Sequence, residues 1–240
     1  MARPTDLLAV LVDGDNVAPS MIGAVLTEVA RLGTATVKRV YGDWSQSNLV
    51  GWKAAASEHV LQPMQQFANT RGKNATDIAL IIDAMDLLYT GRFQGFCIVS
   101  SDGDFTRLAS RIREQGLTVY GFGERKTPES LRNACDEFTY LDVLTAPEAE
   151  DVAPAPKRVP APQLRNDPKL VNGLRACATT ASGEDGWANL ATVGSLMRKQ
   201  QPDFDSRNWG YAKFSDLVRA TELFQIESRE GGGMQVRSKK

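Results

Sequence analysis

Two short acidic motifs stand directly after apolar stretches of the chain. The first is DGDN at Asp13–Asn16, after the run Leu7–Val12, and the second is SSDGD at Ser100–Asp104, after Phe96–Val99. In an open α/β sheet, ligands bind in the crevice beyond the carboxyl ends of the strands. Carboxylates are poor core residues, but their hard oxygen atoms are good ligands for cations. The two motifs therefore predict a cation site where two strands end.

Four carboxylates are the candidate metal ligands and catalytic residues: Asp13, Asp77, Asp102 and Asp104. Asp77 falls in the first turn of a predicted helix, where the helix dipole favours negative charge. Four such groups without a paired base repel one another, so they are costly unless a cation joins them. We expect a divalent ion such as Mg²⁺, which can ionise a water molecule and stabilise charge on a phosphodiester.

Polar residues near these carboxylates add further candidates. Asn16 is a catalytic candidate that could orient the substrate or a ligand, and Lys73 could contact a phosphate. Ser100 and Ser101 either bond to a carboxylate or phosphate oxygen or serve as capping and turn residues. Each Asp-Gly pair, taken alone, also suits a simple turn after a strand. The single histidine, His59, has no partner motif, so no histidine-dependent triad is predicted.

The elements that must position these residues alternate between strands and helices. Apolar runs without alternation predict strands that are buried on both faces, as in a parallel sheet. The predicted strands cover 7–12, 35–41, 60–67, 96–99, 117–122 and 138–144, with Pro63 interrupting the third. The first predicted helix begins at Pro19. The other predicted helices cover 49–56, 77–89, which Thr76 would cap, 105–115 and 129–134. The expected fold is α/β, with a parallel sheet between two layers of helices.

A second, smaller module follows a segment rich in alanine and proline. We expect domains at 1–144 and 163–240, joined by an extended linker at 145–162 that cannot hold a helix. In the second domain, helical patterns cover 169–180, 190–199 and 212–220. The alternating segments 224–227 and 234–237 predict a terminal hairpin. Three helices and a hairpin describe a winged helix, an α+β domain.

Charge and composition narrow the possible partners and compartment. Residues 1–144 hold 14 Lys and Arg against 17 Asp and Glu, a difference of -3, and residues 163–240 hold 12 against 9, a difference of +3. This split suits a metal site beside a nucleic-acid anchor. Three scattered cysteines indicate buried thiols in a reducing compartment. No apolar run approaches the roughly 20 residues of a membrane span, and we expect a cytoplasmic protein with no membrane partner.

Three stretches, in this order, resemble the NYN domain of the PIN-like nuclease superfamily, in its LabA-like branch. They are LVDGDN at Leu11–Asn16, NATDIAL at Asn74–Leu80, followed by Asp83, and VSSDGDF at Val99–Phe105. The resemblance covers residues 5–144. It implies a PIN-like α/β/α sandwich and metal-dependent RNA cleavage, with Asp13, Asp77, Asp102 and Asp104 at the ligand positions. PIN-like domains often pair, which makes a homodimer a possible assembly.

The second module resembles the LOTUS domain, also called OST-HTH, over residues 165–238. The string NWGYAKF at Asn208–Phe214 carries much of this resemblance. It implies that a winged helix binds RNA or a protein partner. Lysines and arginines can neutralise phosphates, and exposed aromatic rings can stack on bases. The RNA-binding candidates are Lys73, Arg198, Lys199, Arg207, Lys213 and an exposed Tyr211 or Trp209, although core packing is the expected role of Trp209, Phe214 and Leu217.

The hypothesis from the sequence is a ribonuclease dependent on Mg²⁺ or Mn²⁺, whose second domain holds the RNA. One alternative is a catalytically inactive adaptor that binds RNA or protein. Another is a phosphatase similar to the haloacid dehalogenases, with Asp13 as the phosphoryl acceptor and Asp15 as the acid and base. The late acidic motif of that family is missing after Leu117–Phe122.

Overall fold

The computed structural model describes residues 6–45, 49–66, 75–144, 158–229 and 233–239. The chain divides into two compact units, Met1–Thr145 and Ala146–Lys240. Each unit has a hydrophobic core of its own. Within the described ranges, no helix combines the length and the apolar character that crossing a membrane requires.

The first unit is built on a six-stranded sheet with the order β3-β2-β1-β4-β5-β6. All neighbouring strands are parallel. The strands are β1 (Leu7–Asp13), β2 (Thr34–Gly42), β3 (Gln62–Gln65), β4 (Gly95–Val99), β5 (Thr118–Gly123) and β6 (Glu137–Tyr140). The α/β class and the parallel sheet predicted from the sequence are confirmed.

Helices cover both faces of this sheet. They are α1 (Ile22–Leu32), which follows a 3₁₀ turn at Pro19–Met21, α2 (Val50–His59), α3 (Ala75–Tyr89), α4 (Thr106–Glu114), α5 (Glu129–Ala134) and α6 (Leu141–Leu144). The side chains of β1 alternate between the two resulting cores. Ala9 and Leu11 pack in the core with α3, α4 and α5, whereas Leu8, Val10 and Val12 pack with α1, α2 and α6. This burial on both sides explains the unbroken apolar run.

Three details of the first unit differ from the sequence-based expectations. Helix α3 begins at Ala75, so Thr76 lies inside the helix and is not its N-cap. The last predicted strand, 138–144, ends at Tyr140 because Leu141 begins a short helix that buries Leu141 and Val143. The third strand is shorter than the predicted 60–67, because β3 covers Gln62–Gln65, and it runs through Pro63 at the sheet edge, where a proline is tolerated.

The second unit is a helical domain with a small antiparallel sheet, consistent with the predicted winged helix. Its helices are α7 (Ala161–Arg165), α8 (Pro168–Ala181), α9 (Leu190–Gln200) and α10 (Phe214–Thr221), with a 3₁₀ turn at Ser206–Trp209. Its strands are β7 (Ala188–Asn189), β8 (Phe224–Arg229) and β9 (Gly233–Ser238), in the order β7-β9-β8. Asp167 and Asn189 cap α8 and α9 through their side-chain oxygens.

Helix α7 lies partly inside the segment that was expected to be a linker without helix. Pro160 stands at its N-cap and Pro162 in its first turn, where a proline needs no hydrogen-bond donor, and Leu164 is fully buried. The prediction that 161–162 cannot be helical is therefore wrong. Residues 145–157 of the proposed linker lie outside the described residues.

Candidate metal centre at the ends of β1 and β4

The two acidic motifs lie at the point where the strand order of the sheet reverses. Strands β1 and β4 are parallel neighbours, and Val12 pairs with Val99 at their carboxyl ends. The chain leaves β1 toward α1 on one face of the sheet and leaves β4 toward α4 on the other. The two connections diverge and open a crevice, which is the usual ligand-binding place in such sheets.

Asp13 is the last residue of β1 and is only 3% exposed. One carboxylate oxygen, Oδ2, accepts a hydrogen bond of 2.7 Å from the Ser100 hydroxyl. The other oxygen, Oδ1, is buried and has no hydrogen-bond partner among the described residues. Burial is the main reason that the pKa of Asp13 is raised to about 6, and the charges of Asp77 and Asp15 add to this rise, while the Ser100 bond opposes it.

Asp77, Asp102 and Asp104 form a compact cluster at the same edge. Each offers one carboxylate oxygen, and these three oxygens lie within 4.8 Å of one another. Asp77 comes from the first turn of α3, and the other two follow β4. Burial raises the pKa of Asp77, and the charges of Asp102, Asp104 and Asp15 raise it further. A cation between the three would relieve this repulsion.

Side-chain hydrogen bonds connect the strand ends around the cluster. The Ser100 hydroxyl, which donates to Asp13, also accepts the backbone N–H of Asp102 at 3.0 Å. Asn16 accepts the N–H of Ser101 at 3.1 Å through Oδ1, so it joins the end of β1 to the end of β4. The Ser101 hydroxyl in turn accepts the N–H of Glu124 after β5. Both serines therefore fix the loops that carry the carboxylates.

Gly14 allows the chain to turn tightly after Asp13. Its N–H donates to the carbonyl of Tyr41 at 2.8 Å, and a Cβ atom on this residue would stand only 2.7 Å from that oxygen. The Gly14 carbonyl accepts a hydrogen bond of 3.0 Å from the buried indole N–H of Trp52. The sequence analysis missed Trp52, because a tryptophan on a short helix gives no sign of the distant loop that it contacts.

Asp83, also on α3, takes no part in the acidic cluster. Its two carboxylate oxygens accept hydrogen bonds from Arg39 and from the Tyr41 hydroxyl on β2. Burial and the Asp83 carboxylate both raise the pKa of Tyr41. By contrast, Asp13, Asp77 and Asp102 are in no ion pair within the part of the chain that the structure describes.

The RNA-binding candidates have different environments. Arg198 and Lys199 are exposed in the last turn of α9, and Lys213 is exposed just before α10. Arg207 is half-buried and forms an ion pair of 2.6 Å with Asp205. Lys73 lies outside the described residues.

The expectation that an exposed Tyr211 stacks on bases is wrong, because the residue is only 6% exposed. Its hydroxyl donates to the carbonyl of Val159 at 2.8 Å, which holds it in the core of the second unit. Trp209 is half-buried, packs against Phe204 and donates through its indole N–H to Asp167. These aromatic rings are tied into the domain by packing and hydrogen bonds.

Comparison with known proteins assigns both units to families. The family model of the NYN domain matches residues 7–142, and that of the OST-HTH/LOTUS domain matches residues 157–236. No curated protein matches the chain.

Two solved structures are similar to parts of the chain. One is a protein of unknown function from Vibrio parahaemolyticus, which is 19% identical with a TM-score of 0.45. Its alignment covers 58% of this chain and 95% of the Vibrio chain. An uncharacterized protein from Nitrosomonas europaea is 36% identical, covers 40% of this chain and 90% of its own, and has a TM-score of 0.30.

Proposed function

The chain belongs to the NYN domain family, and we propose from this membership that it is a metal-dependent ribonuclease. The observation that carries the proposal is the convergence of Asp77, Asp102 and Asp104, whose oxygens lie within 4.8 Å, at the crevice that also holds Asp13. A nuclease family and an acidic cluster at the strand-order reversal support the same function. The second domain would hold the RNA, since OST-HTH/LOTUS domains bind RNA or proteins.

The donor set fits Mg²⁺ or Mn²⁺. Carboxylate oxygens are the hard ligands that these ions prefer. The Oδ1 atom of Asp13 has no hydrogen-bond partner in the described ranges and is a buried acceptor that a cation would satisfy. We assign Asp13, Asp77, Asp102 and Asp104 as ligands. When bound, the ion would lower the pKa of a water molecule and stabilise negative charge on the phosphodiester.

The protein's own residues would keep these ligands in place. The Ser100 hydroxyl orients Asp13 and, through the N–H of Asp102, the loop after β4. Asn16 holds the same loop from the β1 side, and we assign its side chain to orienting a substrate group next to the carboxylates. Arg198, Lys199 and Lys213 are the exposed cations that we assign to RNA phosphates, and Arg207 would act only after giving up part of its pairing with Asp205.

We place the protein in the cytoplasm. Cys97, Cys135 and Cys177 are all free and buried. Burial raises the pKa of the Cys97 thiol. Burial is also the main reason that the pKa of Cys135 is raised to about 12. Thiols of this kind are unreactive structural residues, which suits a reducing compartment.

The proposal is tested with labelled RNA and DNA incubated with Mg²⁺, Mn²⁺ or a chelator. RNA cleavage should require the ion and should fall at least about a hundredfold in Asp13→Asn and in Asp102→Asn. Asp86→Asn is the matched control, because Asp86 is an exposed carboxylate of α3 outside the cluster. RNA affinity should persist in all three variants.

Retained cleavage in both Asp13→Asn and Asp102→Asn would reject the assigned site. A phosphate monoester serves as a second substrate. Its turnover, if abolished by Asp15→Asn, would instead indicate the phosphatase reaction. If the protein binds RNA but cleaves it under none of the ion conditions, the result would indicate the adaptor role.

A further inference from the structure

A small apolar cleft opens on the second unit, between the first turns of α9 and α10 and the strand β9. Its volume is about 300 Å³, which is at the low end of the range for small-molecule pockets, roughly 300–1,000 Å³. Its lining includes Asn189, Leu190, Phe214, Ser215, Gly233 and Met234. A space of this size and polarity suits a single flat ring system.

Phe214 and Met234 supply apolar surface to this cleft. Met234 is 39% exposed, which is unusual for a large apolar side chain on a described strand. The Phe214 ring is backed edge-on by Phe204 at 5.6 Å. It also packs closely on α9, since a Cβ atom on Gly194 would stand only 3.1 Å from it. The phenyl ring is therefore held in place, whereas the thioether of Met234 is adaptable and favours contact with aromatic rings.

The surroundings of the cleft favour an anionic partner. Arg198 lies on the same part of α9 as the Phe214 ring, since its Nη1 is 3.8 Å from the Cβ position of Gly194. Lys213 directly precedes Phe214 and is exposed. Neither cation is in an ion pair among the residues that the structure describes. On the exposed side of α10, by contrast, Arg219 is already paired with Asp216 at 3.3 Å.

An apolar slot beside cations that form no ion pair with any described residue matches the chemistry of unpaired RNA. Single-stranded RNA presents flat bases that stack on apolar and aromatic side chains, and phosphates that bind lysine and arginine. In a duplex the flat faces of the bases are stacked on one another and are not available to such a slot. We propose that the cleft receives one unpaired nucleobase between Met234 and Phe214, while Lys213 and Arg198 neutralise neighbouring phosphates. The proposal rests on the RNA-holding role given to this domain and adds how that RNA is held.

The first test follows the methyl group of Met234 by NMR in the full-length protein, labelled with ¹³C at the methionine methyl groups. Met234→Leu identifies the signal by removing it. Chelator is present so that the RNA stays intact. On adding a single-stranded oligonucleotide of mixed sequence, the Met234 signal should move upfield, because a methyl group above an aromatic base lies in its ring current. A duplex and an abasic ribose-phosphate chain of equal length should leave it in place.

The second test measures affinity for the same oligonucleotide. Met234→Ala removes one wall and should weaken binding of the single strand about tenfold, with no effect on binding of the abasic chain. Lys213→Ala should weaken binding of both the single strand and the abasic chain, and should reduce the salt dependence of the affinity. Gln235→Ala is the matched control, because adjacent residues of a strand point to opposite faces. It should bind as the wild type does.

The outcomes separate the cleft from the wider function. RNA that binds without moving the Met234 signal, or an abasic chain that moves it equally, would overturn the base-binding cleft and leave the ribonuclease proposal intact. If no RNA binds at any salt concentration, the RNA-holding role and the cleft both fail. A protein partner for this domain would then be the remaining role.

Discussion

Two of the carboxylates on helix α3, Asp77 and Asp83, lie six residues apart and are in opposite electrostatic situations. Asp83 is compensated, because Arg39 and the Tyr41 hydroxyl both donate to it. Asp77 faces Asp102 and Asp104, and like charges raise its pKa. The difference shows that a carboxylate on the buried side of a helix can be a structural ion-pair partner or a candidate ligand. The deciding factor is what the neighbouring strand presents to it.

The largest expected effect concerns Asp13, which is only 3% exposed and is in no ion pair with a described residue. Because its pKa is raised from 3.8 to about 6, the folded protein binds this proton more tightly than the unfolded chain does. With chelator present, the Asp13 contribution to the free energy of unfolding should therefore fall as pH rises from about 4 to 6, and stay constant above. The shift corresponds to about 3 kcal/mol.

The comparison that isolates this effect is between the wild type and Asp13→Asn, unfolded by urea at pH 4 and at pH 7. The variant should gain stability relative to the wild type at the higher pH. Asp86→Asn removes one exposed carboxylate and controls for the change in net charge. Equal pH dependence in the wild type and Asp13→Asn would mean that Asp13 is compensated in solution, as Asp83 is.

A slightly smaller effect, on the stability gained by binding Mn²⁺, should distinguish Asp77 from Asp83. Mn²⁺ at about one hundred times its dissociation constant should raise the free energy of unfolding of the wild type by about 2.7 kcal/mol. Asp77→Asn should lose most of this gain, because a ligand is removed. Asp83→Asn should keep it while lowering the stability of the metal-free protein. Thermal or urea unfolding with and without Mn²⁺ gives both values, and equal losses in the two variants would contradict the distinction.

The smallest expected effect tests the compensation of Asp83. Arg39→Ala leaves the half-buried Asp83 without its cation and should lower the free energy of unfolding by about 2 kcal/mol. This loss is smaller than for a fully buried ion pair, because both side chains keep about 20% exposure. Adding Asp83→Ala should recover part of that loss. The coupling energy from this double-mutant cycle measures the pair, and a value near zero would remove the contrast between the two ends of α3.

The sequence was sufficient for most of the strands and helices and insufficient for the contacts between them. Apolar runs that end in acidic motifs predicted β1 and β4 as parallel strands with a cation site at their ends, because burial on both faces and ligand sites at strand ends both leave patterns in the chain. Asp83 shows the limit of this reasoning. Its helical position is compatible with a carboxylate that faces the site and at least as well with a solvated one, and only the register of β2 places Arg39 against it.

The second unit shows the same limit for aromatic residues. Tyr211 stands between Gly210 and Ala212, close to Lys213, and nothing in this local pattern indicates that its side chain is buried. It is buried because the chain before α7 returns to accept its hydroxyl hydrogen bond, and no local pattern reports that return. Helix α7 was missed for a related reason. Proline-rich composition predicts extended chain, whereas two prolines at a helix start are compatible with helix.

Gly14 has a consequence for how relatives of this chain should be interpreted. Any side chain there would press against the Tyr41 carbonyl and displace the turn that follows Asp13. A homologue can therefore retain every aspartate and still lose the geometry of the proposed metal site through a single alanine at this position. An inventory of acidic residues alone would classify such a protein as an active enzyme, so the glycine must be examined together with the acids.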